Sequence, residues 1–259
     1  MNIVIKNNDK ANMFSSLFQH VKVFTEQINI MFETGRMYIQ TMDSSRISIF
    51  EIEIPNHWFD SFLLENNNPI CIGIHVSILY KILSIRDTRQ IIELSLDKDL
   101  EHLFIHFTSE NKTVFDKHFE LPLIDIESEL MAIPIFETQA DLTMCSTNFA
   151  NIVNQLKIFG DTLIVECTEE KVGLTSTSQE SGKMYVDISI DDLNSFAIND
   201  GQQLSMSFSL TYLYNICLYH KIAKDVEIKF TESYPLKITY YLGDENAKIS
   251  FYLAPKIED

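Results

Sequence analysis

The chain has 259 residues, of which 46% are hydrophobic and 22% charged, and its net charge is −17 from 37 acidic and 20 basic residues. This is enough apolar material for one large or two medium domains, and no run of about 18 uncharged apolar residues could span a membrane as a helix. A global excess of acid argues against nucleic acid unless the bases are gathered on one surface, because phosphate neutralisation supplies most DNA affinity.

The first residues, Met1 to Lys6, read as a strand and lack the basic start and apolar core of a signal peptide. Apolar residues at three- and four-residue spacing predict a helix over 11–24, and the alternation around Met37 and Ile39 predicts a strand. A second helix is expected over 75–86, then a strand carrying Ile92 and Leu94. The run from Thr113 to Leu121 reads as an edge strand. Pro122 and Pro134 bracket an acidic and apolar segment from Leu123 to Ile133. Beyond it come a helix over 147–159, strands around Val172 and over 183–190, a helix over 210–224 and a strand over 226–230. Seven glycines and six prolines punctuate the chain, and period-two alternation in most segments suits antiparallel sheet. Four cysteines (Cys71, Cys145, Cys167, Cys217) without CxxC spacing read as reduced core thiols of an intracellular protein.

The chain also repeats itself. Phe14 to Phe24 recurs 135 residues later as Phe149 to Phe159, with apolar positions aligned and the Lys-x-Phe ending kept. The same shift carries Met37 and Ile39 onto Val172 and Leu174. A shift of 134 carries Ile74–Leu83 onto Phe208–Cys217, then Ile92 and Leu94 onto Val226 and Ile228. Two copies of one strand-and-helix unit are expected: a domain over 1–121, a connector over 122–137 and a second domain over 138–259. The fold class is α+β, with antiparallel sheet and two helices per domain.

The four helix segments hold Lys22, Lys81, Arg86, Lys157, Lys221 and Lys224 but no Asp or Glu. With six of the 20 bases on helices, 14 stand against 37 acids elsewhere. Such segregation lets one surface accept a polyanion while the rest repels it. Six charges make a weak site, which suits a protein that slides, since phosphate contacts position without reading sequence.

Met42-Asp43-Ser44-Ser45 and the tail from Phe251 to Asp259 resemble the proliferating cell nuclear antigen family of eukaryotic-type sliding clamps. Leu123 to Pro134 is similar to that family's interdomain connector, and Gly160-Asp161 and Tyr234-Pro235-Leu236 match it as well. The resemblance implies a ring of three subunits, with helices lining a hole for double-stranded DNA bound without regard to sequence. It implies a homotrimer closed through Phe115, Phe119 and Leu121 on one edge and Met184, Tyr185 and Val186 on the other. It places a partner-peptide groove at Met42, Arg46, Ile47, Met131, Ile133, Pro134, Pro235, Tyr252, Leu253, Ala254 and Pro255. The implied partners are DNA polymerase, the clamp loader and other proteins with a PIP-type peptide.

Departures from the family are visible. Arg46 replaces a frequent histidine, so the groove's rim favours more acidic clients. Ser15, Ser16, Asn154, Thr211 and Leu218 replace bases of the family's channel, and Glu169 falls where familiar members carry a ubiquitin-accepting lysine, with Lys171 two residues on. A specialised clamp subunit, heterotrimeric or checkpoint-type, is the alternative that fits a depleted channel.

An enzyme is not expected. No P-loop, dinucleotide fingerprint or GxSxG elbow occurs, and no catalytic residue, cofactor or metal is assigned. His102 and His106 share a strand face without a cysteine ligand, Asp191-Asp192 reads as a solvated turn, and His57 beside Trp58 reads as surface or interface. The Asn- and Ile-rich composition points to an AT-rich genome, of a protist or a large DNA virus, with the nucleus or a viral replication compartment as the place of action.

Overall fold

The structure, a computed structural model, describes residues 1–256 apart from 98, 112, 128, 135, 244 and 245. Ile257, Glu258 and Asp259 of the tail and Ser128 of the connector thus lie outside the described residues. The chain divides into two compact units: residues 1–44, 51–131 and 242–248 in unit 1, and residues 45–50, 132–241 and the described residues from 249 on in unit 2.

The elements of the first half are β1 (Asn2–Ile5), α1 (Asn8–Val21), β2 (Gln27–Glu33), β3 (Arg36–Met42), β4 (Ser48–Pro55), β5 (Ser61–Leu63), β6 (Ile70–His75), α2 (Val76–Ser84), β7 (Ile91–Leu96), β8 (His102–Thr108) and β9 (Lys117–Pro122). The second half brings β10 (Ala140–Cys145), α3 (Ser146–Leu156), β11 (Thr162–Cys167), β12 (Lys171–Ser178), β13 (Gly182–Ser189), β14 (Ser195–Ile198), β15 (Leu204–Ser209), α4 (Leu210–Ile216), β16 (Asp225–Phe230), β17 (Leu236–Tyr241) and β18 (Lys248–Leu253). Unit 1 carries the strand orders β5-β1-β7-β8-β9 and β4-β3-β2-β6, and unit 2 carries β14-β10-β16-β17-β18 and β13-β12-β11-β15. Adding nine to each strand number turns the first pair of orders into the second. The repeat read from Phe14 and Phe149 is therefore a repeat of topology.

Strand burial follows the period of two: β4 alternates buried Ser48, Phe50, Ile52 and Ile54 with half-exposed neighbours, and β8 buries Leu103, Ile105 and Phe107. Helices cover the buried faces. In unit 1, α1 packs on β1 and β7, and α2 on β6 and β9; in unit 2, α3 packs on β10 and β16, and α4 on β15. Phe14, Leu17, Phe18 and Val21 form the buried stripe of α1, and Phe149, Val153 and Leu156 that of α3. Met37, Ile39, Val172 and Leu174 are all in the core, as are Ile92, Leu94, Val226 and Ile228.

Several expected boundaries move, each for a local reason. α1 starts at Asn8 rather than 11, because the Asn7 side chain accepts from the backbone N–H groups of Asp9 (2.9 Å) and Lys10 (3.1 Å), a side-chain cap that satisfies two orphan donors. This corrects the acid-free reading of the helices: Asp9 sits in the first turn, where the helix dipole favours it. α2 ends at Ser84, so Arg86 follows the helix, and α4 tightens into a 3-10 turn over Cys217–Lys221, leaving Lys224 beyond it. The edge strand begins at Lys117 rather than Thr113. Residues before it are held in a turn by Thr113 N–H to Asn111 Oδ1 (3.0 Å) and Ser109 N–H to Asp116 Oδ1 (3.0 Å), side-chain bonds that compete with strand pairing. Trp58 is a core residue at 1% exposure, whereas its neighbour His57 is exposed.

The first part of the connector is strapped to unit 1. Leu123 N–H donates to the Glu101 carbonyl (2.8 Å), Ile124 N–H to the Gly73 carbonyl (2.9 Å), and Asn29 Nδ2 to the Ile126 carbonyl (3.0 Å). Gln40 then grips Met131 twice, accepting from its N–H at 2.7 Å and donating to its carbonyl at 3.0 Å. Gly73 is what lets the strap lie so close: a Cβ there would stand 2.2 Å from the Ile124 oxygen. Gly160 does the same after α3, where a Cβ would meet the Thr177 carbonyl oxygen at 2.6 Å.

Gly73→Ala is expected to push the strap off β6 and to destabilise the fold by about 1–3 kcal/mol, the usual range for overpacking. Faster proteolytic cutting within 123–131, together with a lowered thermal midpoint, is the signature; unchanged cutting would show that the close approach is dispensable.

Candidate docking groove and basic helix surface

The expected groove residues fall in both units. In unit 1, Met42 ends β3 half-buried, and Met131 is half-buried with its backbone held by Gln40. In unit 2, Arg46 is exposed with a left-handed backbone (φ 59°), an uncommon conformation for a residue with a Cβ, and Ile47 beside it is 38% exposed. The Ala254 N–H donates to the Ile47 carbonyl at 3.1 Å, which ties the tail to this turn. Further on, Lys256 donates from its N–H to the Ser207 carbonyl (2.7 Å) and from Nζ to Thr162 Oγ1 (2.6 Å). Ile133 and Pro235 are half-buried, Pro134 and Ala254 exposed, and Pro255 half-buried. Tyr252 is nearly buried, with the Lys237 ammonium 5.5 Å from its ring centre, and Leu253 is wholly buried. Leu253 thus acts as a core residue beneath the surface that its neighbours present.

Unit 2 also contains a cavity of about 470 Å3 lined by Pro134, Phe136, Glu137, Gln139, Asn199, Gln202, Thr231 and Tyr234. Phe136 and Tyr234 pack against each other there with ring centroids 4.4 Å apart, and the buried Gln202 Oε1 has no hydrogen-bond partner among the described residues. Sequence reading gave Phe136 no role. Its only signal was an aromatic residue closing the apolar run that starts at Met131.

The basic residues differ sharply in what they do. Lys81, Lys221 and Lys224 are exposed. Arg86 is turned inward: Nη1 donates to the carbonyls of Gln90 (2.6 Å) and Asp87 (3.1 Å), and Nη2 to the side-chain oxygens of Asn8 (3.0 Å) and Asn12. Burial lowers its pKa, against a smaller upward pull from Asp87. Arg86 therefore clamps α1 to the loop after α2. Lys22 caps the C-terminus of α1 with its ammonium 4.4 Å from the ring centre of Tyr80, and Lys157 caps α3 with its ammonium 4.4 Å from that of Tyr214.

β9 and β13 each end a sheet order. Along β9, Phe119 is half-exposed and packs at a tilt on Phe107 with ring centroids 5.4 Å apart, while Leu121 is buried in its own unit; Phe115, just before the strand, is 83% exposed. Along β13, Met184 and Val186 are half-buried and Tyr185 is 42% exposed. The Tyr185 hydroxyl donates to Asp187 Oδ1 (2.5 Å), and Lys171 pairs with the same carboxylate at 2.9 Å. That ion pair, with the Tyr185 contact, raises the pKa of Lys171 and lowers that of Asp187.

Burial pushes the thiols of Cys167 and Cys217 up to about 12, so both stay protonated and inert. His106 and His118 face each other across β8 and β9 with Nδ1 atoms 2.7 Å apart, and His102 lies 3.4 Å from Asp97. Among the described residues no three His, Cys, Asp or Glu side chains gather as a metal site, and no helix is long and apolar enough to cross a membrane.

Residues 5–130 match the family described as proliferating cell nuclear antigen, N-terminal domain, and residues 132–256 match its C-terminal domain. A curated relative, the proliferating cell nuclear antigen of Chaetomium thermophilum, is 26% identical over 256 residues, covering 97% of each chain. Two consecutive domain matches that span the chain, on two units of one repeated topology, place this protein in the proliferating cell nuclear antigen family.

Proposed function

We propose that the chain is one subunit of a homotrimeric sliding clamp that encircles duplex DNA, raises the processivity of a DNA polymerase and docks replication and repair proteins. It acts as a scaffold rather than an enzyme, in the nucleus or in a viral replication compartment. The observation that carries this reading is the match to both family domains along the whole chain.

The strand orders supply a physical route to a ring. β9 and β13 both end their sheets. A head-to-tail pairing of β9 in one subunit with β13 in the next is heterologous, and a contact of this kind closes into a ring when its rotation allows. Once threaded, DNA needs only weak, sequence-blind phosphate contacts, which Lys22, Lys81, Lys157, Lys221 and Lys224 provide.

Clients dock through a PIP-type peptide whose apolar anchors fill the groove by Ile47 and Pro235 and whose flank pairs with the backbone near Ala254. Arg46 on its rim attracts acidic flanks. A second reading, a specialised subunit that closes only with other clamp chains, draws on the neutral residues Ser15, Ser16, Asn154, Thr211 and Leu218 and on the engaged Arg86.

Light scattering of the purified protein over a range of concentrations is expected to give three times the 30.0 kDa chain mass; a monomer throughout would sink the homotrimer and favour the specialised subunit. A peptide with one aliphatic and two aromatic anchors should bind, and Ile47→Asp should weaken it by about 2 kcal/mol, roughly thirtyfold, as for a central anchor contact. Equal titration curves for both proteins would place peptide docking elsewhere.

A further inference from the structure

Two lysine–tyrosine stacks occur at matching places in the two units. Lys22 and Lys157 are both the C-terminal cap of the first helix in their unit, with backbone angles of −60°, −14° and −60°, −21°. Tyr80 and Tyr214 are both the fifth residue of the second helix. Each ammonium lies 4.4 Å from its ring centre, inside the range where the negative face of an aromatic ring attracts a cation. Helix packing forces the meeting: α1 rests on α2 and α3 on α4, with Leu79 and Leu213, the residues preceding the tyrosines, wholly or almost wholly buried.

Neither lysine is spent on an acid. Lys171, Lys229 and Lys248 pair with carboxylates, whereas among the described residues Lys22 and Lys157 make no ion pair. The residue after each is an exposed aliphatic, Val23 and Ile158. The aromatic face holds the ammonium on one side and leaves its other N–H donors to solvent. A free lysine would have to freeze a long flexible stem to meet a phosphate; these two are already placed, and the C-terminal helix dipole favours the charge there.

We propose that Tyr80 and Tyr214 are positioning residues that hold Lys22 and Lys157 as paired, pre-set phosphate contacts for duplex DNA. The proposal rests on the clamp reading above and adds to it the residues that set the strength of the DNA contact. It also accounts for how a channel short of bases keeps a grip: two of its few cations are fixed in place.

The test is binding of the full-length protein to a short linear duplex by fluorescence anisotropy at several salt concentrations. Replacing both tyrosines by leucine should weaken binding about two- to fivefold per stack, the range a cation–π contact supplies at an exposed site, with the salt dependence unchanged because every charge is kept. Tyr80→Phe with Tyr214→Phe should restore binding, since phenylalanine keeps the ring face. Lys22→Ala with Lys157→Ala should flatten the salt dependence by about 0.9 for each phosphate no longer neutralised, and the leucine changes should then add nothing. Proton NMR gives a readout that needs no DNA: the ε-methylene signals of Lys22 and Lys157 should lie upfield, and return on the leucine change. Full-strength binding by the leucine variant, or an equal loss when the lysines are already gone, overturns the proposal and leaves the clamp reading standing. A trimer that does not bind duplex at any salt would overturn both.

Discussion

Each sheet in this protein has one face that must be covered, and two helices per unit do the covering. That constraint organises the rest. Strands alternate because only one face is buried, as in β4, where Phe50, Ile52 and Ile54 point to the core. The helices are amphipathic because they lie on those faces, as Phe14, Leu17 and Val21 of α1 show. Their outward faces are then free to specialise, and here they carry Ser, Asn, Tyr and Lys with a single acid, Asp9, in the first turn of α1.

A chain with net charge −17 approaches DNA only if the local field differs from the global one. The basic residues of the helices and their flanks are engaged unevenly. Arg86 is consumed in joining α1 to the loop after α2, with its guanidinium spread over two carbonyls and two asparagine oxygens. Lys22 and Lys157 lie on tyrosine rings, and Lys81, Lys221 and Lys224 stand exposed to solvent. A count of positive charges on the helices therefore overstates the cations open to a phosphate by one arginine and says nothing about how the others are held.

The repeat of Phe14–Phe24 and Phe149–Phe159 was legible because each copy keeps its buried stripe, and core burial constrains residue type tightly. The start of α1 was not, since the Asn7 cap acts on backbone donors and leaves no periodic trace. The late start of the strand expected from Thr113 was hidden for the same reason: Asn111 and Asp116 redirect backbone N–H groups that a strand would use. The stack of Phe136 on Tyr234 and the two lysine–tyrosine stacks join residues about 60 to 100 positions apart, and only packing geometry brings them together. The expected groove residues were chosen through the tail and the Met42 loop, and their sequence does not separate Leu253, fully buried, from Ala254, which is exposed.

The length of β9 has a kinetic meaning. It is a six-residue strand, and a backbone hydrogen bond contributes only about 0.5–1.5 kcal/mol net in water. If subunits join through such a strand, one seam holds a few such bonds and a small apolar patch, so opening it is within reach of a modest mechanical input. Residence on a circular template would then be a matter of seam lifetime rather than of affinity. The protein would leave DNA by breathing open at one joint while the other two keep the open ring in one piece.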